Sequence, residues 1–222
     1  NVPVVAALFA MALCGGAEFC LHADAINAYA DTYMGLVEIG VGLLPGGGGT
    51  KEMSLRAIQL AQQFNTDPQP FITKNFQQIA MAKVSMGAAE LSPMGYMRNG
   101  DAISMDIDRL IGDAKQKVLA LAVNYRPKQP AVDLPAPGRG TAAAIKSQLW
   151  NMQMGNFITA YEAEMGGIIA SVMCGGDVNP GTLISEDYLL QLEREGFLKL
   201  CGNKKTAERI QHMLKTGKPL RN

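Results

Sequence analysis

The stretch Met11-Ala12-Leu13-Cys14-Gly15-Gly16-Ala17-Glu18 decides how the rest of the chain is read. It closes the apolar run Val2 to Leu13, which has the pattern of a strand covered on both faces. Gly15 and Gly16 permit a tight turn, and Ala17 to Ala23 follows as a short helix with Glu18 near its positive end. Backbone N–H groups at such a strand–turn–helix junction lack intrahelical partners, so they can bind a phosphate or a developing oxyanion.

Working outward, Ala25 to Met34 reads as a returning strand and Leu36 to Leu44 as a second apolar stretch interrupted by Gly40 and Gly42. Pro45 and Gly46 to Gly49 form a loop, with Thr50 as the expected N-cap of the next helix. From there the pattern is helical: Ser54 to Phe64, Phe71 to Ala82, Ala88 to Leu91, and Asp106 to Val123 with Asp106 as cap. Tyr125 to Gly140 carries four prolines and two glycines and reads as a surface connector. Thr141 to Cys174 is one helix or two, broken at Gly155 or at Gly166-Gly167. Ser185 caps a helix whose apolar face holds Leu189, Leu192, Gly196 and Leu200, with Phe197 at its edge. Thr206 to Leu214 is the last helix, stopped by Gly217 and Pro219. The chain thus reads as α/β, with a strand-bearing, glycine-rich front and a helical back.

Composition narrows the function. The 222 residues carry 20 basic and 20 acidic groups, and zero net charge argues against a general nucleic-acid binder. Residues 1–50 hold four acids (Glu18, Asp24, Asp31, Glu38) and no Lys or Arg. That segment should be largely interior, so any charge kept inside it needs a reason. The apolar start has no basic flank and is too short to span a bilayer. Cys14, Cys20, Cys174 and Cys201 show no zinc-type spacing and read as buried free thiols in a reducing cytoplasm. With only two histidines, no metal site is expected. The chain begins without Met, directly in core-like sequence, so it is expected to be a fragment of a longer protein.

Phosphate-loop motifs fail on spacing. A P-loop needs Lys directly before Ser or Thr, but Thr50 precedes Lys51. Gly40-Val41-Gly42 is followed by Leu43-Leu44-Pro45, so the third glycine of a dinucleotide fingerprint is missing.

The front segment resembles the enoyl-CoA hydratase (crotonase) family. The residues that carry this are Pro3 to Ala7, Met11 to Glu18 with Asp24, Met34-Gly35-Leu36-Val37-Glu38, Gly42 to Pro45, and Gly46 to Thr50. Cys174-Gly175-Gly176-Asp177 and Arg209 to Leu220 carry a closer resemblance, to the hydratase-like part of long bacterial 3-hydroxyacyl-CoA dehydrogenases. The resemblance implies a partial crotonase-like spiral with a large helical C-terminal portion. Residues 1–125 would be the C-terminal part of the core with a helical insertion, 126–140 a Pro/Gly-rich connector, and 141–222 a helical C-terminal region.

The resemblance also implies roles. Gly15 would donate one of two backbone N–H groups to the thioester oxygen of an acyl-CoA. Glu18 and Glu38 match the two catalytic glutamates that share one water, and Gly46 matches the donor that helps place it. The implied reaction is hydration of trans-2-enoyl-CoA to 3-hydroxyacyl-CoA in fatty-acid β-oxidation. Losing one oxyanion donor costs about 3 to 4 kcal/mol at comparable sites, and two carboxylates can divide activation of the water from proton delivery to C2. The implied partners are acyl-CoA, the upstream part of the same protein and further copies of the chain. No cofactor is expected in this region, and NAD only in a dehydrogenase part outside this sequence.

Departures temper the reading. Cys14 stands where the family commonly has glycine. The family's first oxyanion donor falls before Asn1, so the fragment alone is expected to show little or no activity. The rival functions are a non-catalytic docking module of the larger protein and an enoyl-CoA isomerase, whose branch keeps only the second acid. His22 and His212 are expected to be packing or solvated residues, the methionines around Trp150 adaptable core, and Lys215 to Arg221 a solvated tail.

Overall fold

A computed structural model describes residues 2–222 of the chain. In order, its elements are β1 (Val5–Leu8), β2 (Met11–Leu13), α1 (Gly15–His22), β3 (Ala25–Tyr29), β4 (Tyr33–Gly35), α2 (Gly49–Gln63) and α3 (Gln69–Ala80). They continue with β5 (Ala102–Ser104), α4 (Leu110–Ala122), β6 (Leu134–Pro135), α5 (Gly138–Met154), α6 (Ala160–Met173), β7 (Leu183–Ile184), α7 (Glu186–Cys201) and α8 (Lys204–Thr216). Two compact units emerge, each built from two separate stretches of chain.

The first unit comprises residues up to Leu36 together with Lys83–Gln129. Strands β1, β3 and β5 form a parallel sheet in that order, and β2 pairs β4 in a second parallel sheet. The single strand expected over Val2 to Leu13 is therefore two, one in each sheet. The cause is Ala10, which sits at φ 53 and turns the chain out of the first sheet, leaving Phe9 exposed. The same step is repeated between β3 and β4. There the buried Thr32 hydroxyl donates to Leu8 O at 3.2 Å, and the Tyr33 N–H donates to Ala10 O at 2.8 Å. Each strand–kink–strand passage thus locks onto the one before it. Inside, Leu8, Leu21, Ile26, Met34, Leu36 and Leu110 form the core. The buried Asn27 amide donates to Ser104 Oγ at 2.8 Å, and Ser104 donates onward to Asp113 Oδ2 at 2.6 Å, so no polar atom of that chain is stranded.

The second unit comprises Val37–Ala82 and Pro130–Asn222 and is a helical assembly of α2, α3 and α5–α8 with the short antiparallel pair β6–β7. That pair lies partly within the segment expected to be a featureless connector. Thr141 to Cys174 is two helices. The break falls at Gly155, and Thr159 restarts the chain with a capping box to Glu162. Gly166-Gly167 instead lies inside α6, where a Cβ on Gly166 would stand 2.9 Å from Leu149 Cδ1, so the missing side chain is what lets α5 and α6 approach. Buried Ser54 donates to Met173 O at 2.6 Å and buried Asn75 to Met53 O at 2.8 Å, stitching α2 to α6 and α3. Ser185 caps α7 by accepting from the Tyr188 N–H, and Gly217 ends α8 at φ 68, as their positions in sequence indicate.

Gly166→Val tests this packing. The added methyls must displace Leu149, and the chain should unfold at lower urea with a loss of about 1 to 3 kcal/mol.

Candidate active site

In the first unit, the N–H of Glu18 is the first in α1 to find a carbonyl four residues back, Cys14 O at 3.0 Å. The N–H groups of Gly15, Gly16 and Ala17 precede it and so have no acceptor within the helix. Gly15 and Gly16 are exposed, and a Cβ on either would meet nothing within 4 Å. Neither packing nor backbone conformation demands glycine there, and the backbone of that turn is open to solvent. The conformational strain falls instead on Cys14, at φ 52 and ψ −126, a region hostile to any residue with a side chain. This gives a physical reason for glycine at that point of the resemblance. Glu18, one turn into α1, is 7% exposed, whereas Asp24 and Asp31 are open to solvent. His22 is exposed, and its Nδ1 lies 2.7 Å from Glu18 O, a carbonyl that can only accept, so Nδ1 carries the proton.

In the second unit, Glu38 opens a 3-10 turn, Glu38–Val41, and is 8% exposed. Gly42 ends the turn at φ 86, and the Leu43 N–H returns to Glu38 O at 3.1 Å. Gly46 follows in an exposed turn where a Cβ would come within 2.4 Å of the Phe197 ring, so only glycine fits beneath it. The next helix is not capped by Thr50. Gly48, at φ 95, holds the N-cap position, and Thr50 lies inside α2 with its hydroxyl donating to Pro45 O at 2.9 Å.

A glycine cannot cap with a side chain, and the missing carboxylate comes from α7. Glu193, 1% exposed, accepts from the N–H groups of Gly48 at 2.7 Å and Lys51 at 2.8 Å. The buried Lys51 ammonium pairs with Glu186 at 2.7 Å and Glu52 at 3.2 Å, and Arg56 meets Glu52 at 2.8 Å. Sequence reasoning passed over this cluster, although Glu193 lies on the apolar face defined by Leu189, Gly196 and Leu200. An acid in that stripe is the signal that was available.

A second group holds the turn of Glu38. Thr206 of α8 donates to Gly42 O at 2.8 Å, and Arg209 reaches Ile39 O at 3.4 Å. Arg209 also stacks over Tyr161 at 5.3 Å and faces Glu162 at 3.8 Å. Arg221, expected in a solvated tail, folds back onto Glu162 at 2.7 Å and Phe157 O at 3.0 Å. Around Trp150, Met165 is buried but Met152 and Met154 are largely exposed, so those two are surface rather than core. Likewise two thiols are buried and two are not. Burial pushes Cys20 up to about 11 and Cys174 up to about 12, while Cys14 is half-buried and Cys201 exposed. Among the described residues, no group of three or more His, Cys, Asp or Glu side chains converges as a metal site requires.

Two outcomes are expected. Cys14→Gly should raise stability by about 1 kcal/mol in urea unfolding by relieving the strained turn, net of the freer unfolded chain. The second concerns Glu162. Burial by itself would raise its pKa, but hydrogen bonds from Arg221 and the Thr159 N–H, with the Arg221 and Arg209 charges, hold it below the ordinary 4.5. A carboxylate depressed by folding stabilises above its unfolded value, and that contribution fades as pH falls from 4.5 through the lower folded value. Stability should therefore drop more steeply between about pH 5 and about pH 3 in the unaltered protein than in Arg221→Ala.

No protein-family model matches the chain. In sequence it is 43% identical over 222 residues to a "Probable 3-hydroxyacyl-CoA dehydrogenase" of Bacillus subtilis (strain 168), covering 99% of this chain and 27% of that protein. A shorter stretch of 64 residues is 44% identical to the "Fatty acid oxidation complex subunit alpha" of Shewanella amazonensis, covering 28% of this chain and 9% of that protein. The chain thus spans about a quarter or less of the length of these relatives. In structure it superimposes on the carnitinyl-CoA hydratase of Mycobacterium avium with a TM-score of 0.55 at 16% identity, covering 98% of this chain and 62% of that one. That likeness establishes the α/β crotonase fold with its large helical portion. The chain therefore has the crotonase fold and is similar, over nearly its whole length, to a part of a probable 3-hydroxyacyl-CoA dehydrogenase, as a hydratase-like region would be.

Proposed function

We propose that the protein hydrates trans-2-enoyl-CoA to 3-hydroxyacyl-CoA in fatty-acid β-oxidation, with Glu18 and Glu38 as acid–base residues, Gly15 as oxyanion donor and Gly46 as the donor that places water. The observation that carries this is selective burial. Of the four acids in a segment without Lys or Arg, Glu18 and Glu38 are buried, while Asp24 and Asp31 are not. Burying a carboxylate is costly, and a perturbed environment for an acid is more often kept where chemistry uses it.

In the proposed step, the water oxygen bonds to C3 while one glutamate takes its proton. The π pair of the 2,3-double bond moves toward C2 and the thioester oxygen, where the Gly15 N–H and the dipole of α1 oppose the growing charge. A proton from the other glutamate then reaches C2. An isomerase needs only one of the two acids, so the burial of both favours hydration. The names of the relatives support a place in fatty-acid oxidation, and the product is the substrate class of a 3-hydroxyacyl-CoA dehydrogenase. Acyl-CoA is therefore the proposed partner, with a dehydrogenase part of the same longer protein as consumer of the product and the only proposed user of NAD. No helix is long and apolar enough to cross a membrane among the described residues.

The test is hydration of crotonyl-CoA, followed by loss of its enoyl-thioester absorbance, in the full-length polypeptide that carries this sequence. Glu18→Gln and Glu38→Gln should each slow it by about 10²- to 10⁴-fold with circular dichroism unchanged. Activity surviving both substitutions would leave a docking module as the function.

A further inference from the structure

Glu38 gains its orientation from a 3-10 turn of four residues, and such a turn has little rigidity of its own. Its exit is fixed from outside. The Thr206 hydroxyl donates to Gly42 O at 2.8 Å, and a Cβ on Gly42 would stand 2.9 Å from Thr206 Oγ1, so helix and turn are in direct contact there. One turn along the same face, Arg209 reaches Ile39 O. Thr206 is 1% exposed and has a single hydroxyl proton, which Gly42 O takes. The Tyr161 hydroxyl, bonded to the same oxygen, must therefore be the donor to Thr206. Burial raises the pKa of Tyr161 above the ordinary tyrosine value, so it keeps that proton. The result is a directed chain, Tyr161 O–H to Thr206 O–H to the Gly42 carbonyl, in which each bond polarises the next. Tyr161 is held in turn beneath the Arg209 guanidinium, which also donates through Nε to Asn222 Oδ1 at 2.9 Å.

We propose that Thr206, oriented by Tyr161, is a positioning residue for Glu38, an inference that rests on the acid–base role given to Glu38 above. Neither residue meets substrate; they act by fixing where the Glu38 carboxylate can point. A displacement of the order of an ångström at an acid–base group costs up to about a hundredfold in rate.

The experiment compares Thr206→Val, Thr206→Ser and Tyr161→Phe in the full-length polypeptide that carries this sequence. It reads kcat and KM with crotonyl-CoA, and the titration midpoints of the Glu18 and Glu38 carboxyls by carbon-13 NMR. Thr206→Val should lower kcat about tenfold or more, with KM within about twofold. The Glu38 midpoint should move while that of Glu18 stays. Thr206→Ser, which keeps the hydroxyl, should restore both. Tyr161→Phe, which leaves the bond to Gly42 but loses its orienting donor, should give the same changes in smaller measure, and it serves in place of Thr206→Val should that variant fail to fold.

The inference is overturned if Thr206→Val leaves kcat and the Glu38 midpoint unchanged. It is equally overturned if Thr206→Ser fails as Thr206→Val does, because the loss would then be one of packing. Failure of the functional reading looks different: the unsubstituted polypeptide does not hydrate crotonyl-CoA, and the Glu38 midpoint alone then decides the positioning role.

Discussion

The structure of the second unit turns on one carboxylate. Glu193 bridges the N–H groups of Gly48 and Lys51, and without it the first turn of α2 would be buried with its amides unanswered. Placing a charge there is costly, and the geometry repays it twice over, through two short backbone bonds and through the positive end of a fifteen-residue helix. Because Gly48 and Lys51 are fixed, so is the turn that begins at Gly46. Phe197, one helical turn beyond Glu193, covers that turn, and Gly196 between them lets Leu44 come close. Within the loop, Gly46 has no room for a side chain beneath Phe197, and Gly48 takes a left-handed backbone at φ 95.

Local signals in the sequence were enough to find much of this. The strand–glycine–helix junction and the caps at Ser185 and Gly217 follow from residues that interact with their immediate neighbours, whereas the crotonase fold was implied by the resemblance of the front segment. What escaped depends on distant partners. Val2 to Leu13 looks like one strand because its apolar run is unbroken; the kink at Ala10 is set by bonds from Thr32 and Tyr33 that only the folded chain supplies. Strands β5, β6 and β7 are two or three residues long and have too little pattern to be recognised without their partners. Thr50 was an ordinary N-cap candidate, displaced because Glu193 already does that work.

The candidate site divides in the same way. Gly15, Glu18, Glu38 and Gly46 could be nominated from the sequence because the order of motifs around them is specific. Tyr161, Thr206 and Arg209 were not, since a hydroxyl or a guanidinium in a helix signals nothing until its acceptor is known, and Glu193 showed only as an acid within an apolar stripe, its donors unnamed. Cys14 lies between these cases. Its departure from glycine was visible, but the reason it matters, a backbone turned to φ 52, belongs to the three-dimensional structure.

The bonds that hold the Glu38–Lys51 segment span 145 residues from Gly48 to Glu193 and 164 from Gly42 to Thr206. During synthesis, that segment leaves the ribosome long before the helices that grip it. Its amides and carbonyls must stay solvated, or make provisional bonds, until the last helices have been translated. Contacts closed across so much intervening chain form late and slowly. The nascent chain can therefore assemble strands β1 to β4 while the neighbouring glycine loop is still unformed, and the second acid of the proposed pair is the last to acquire its native surroundings.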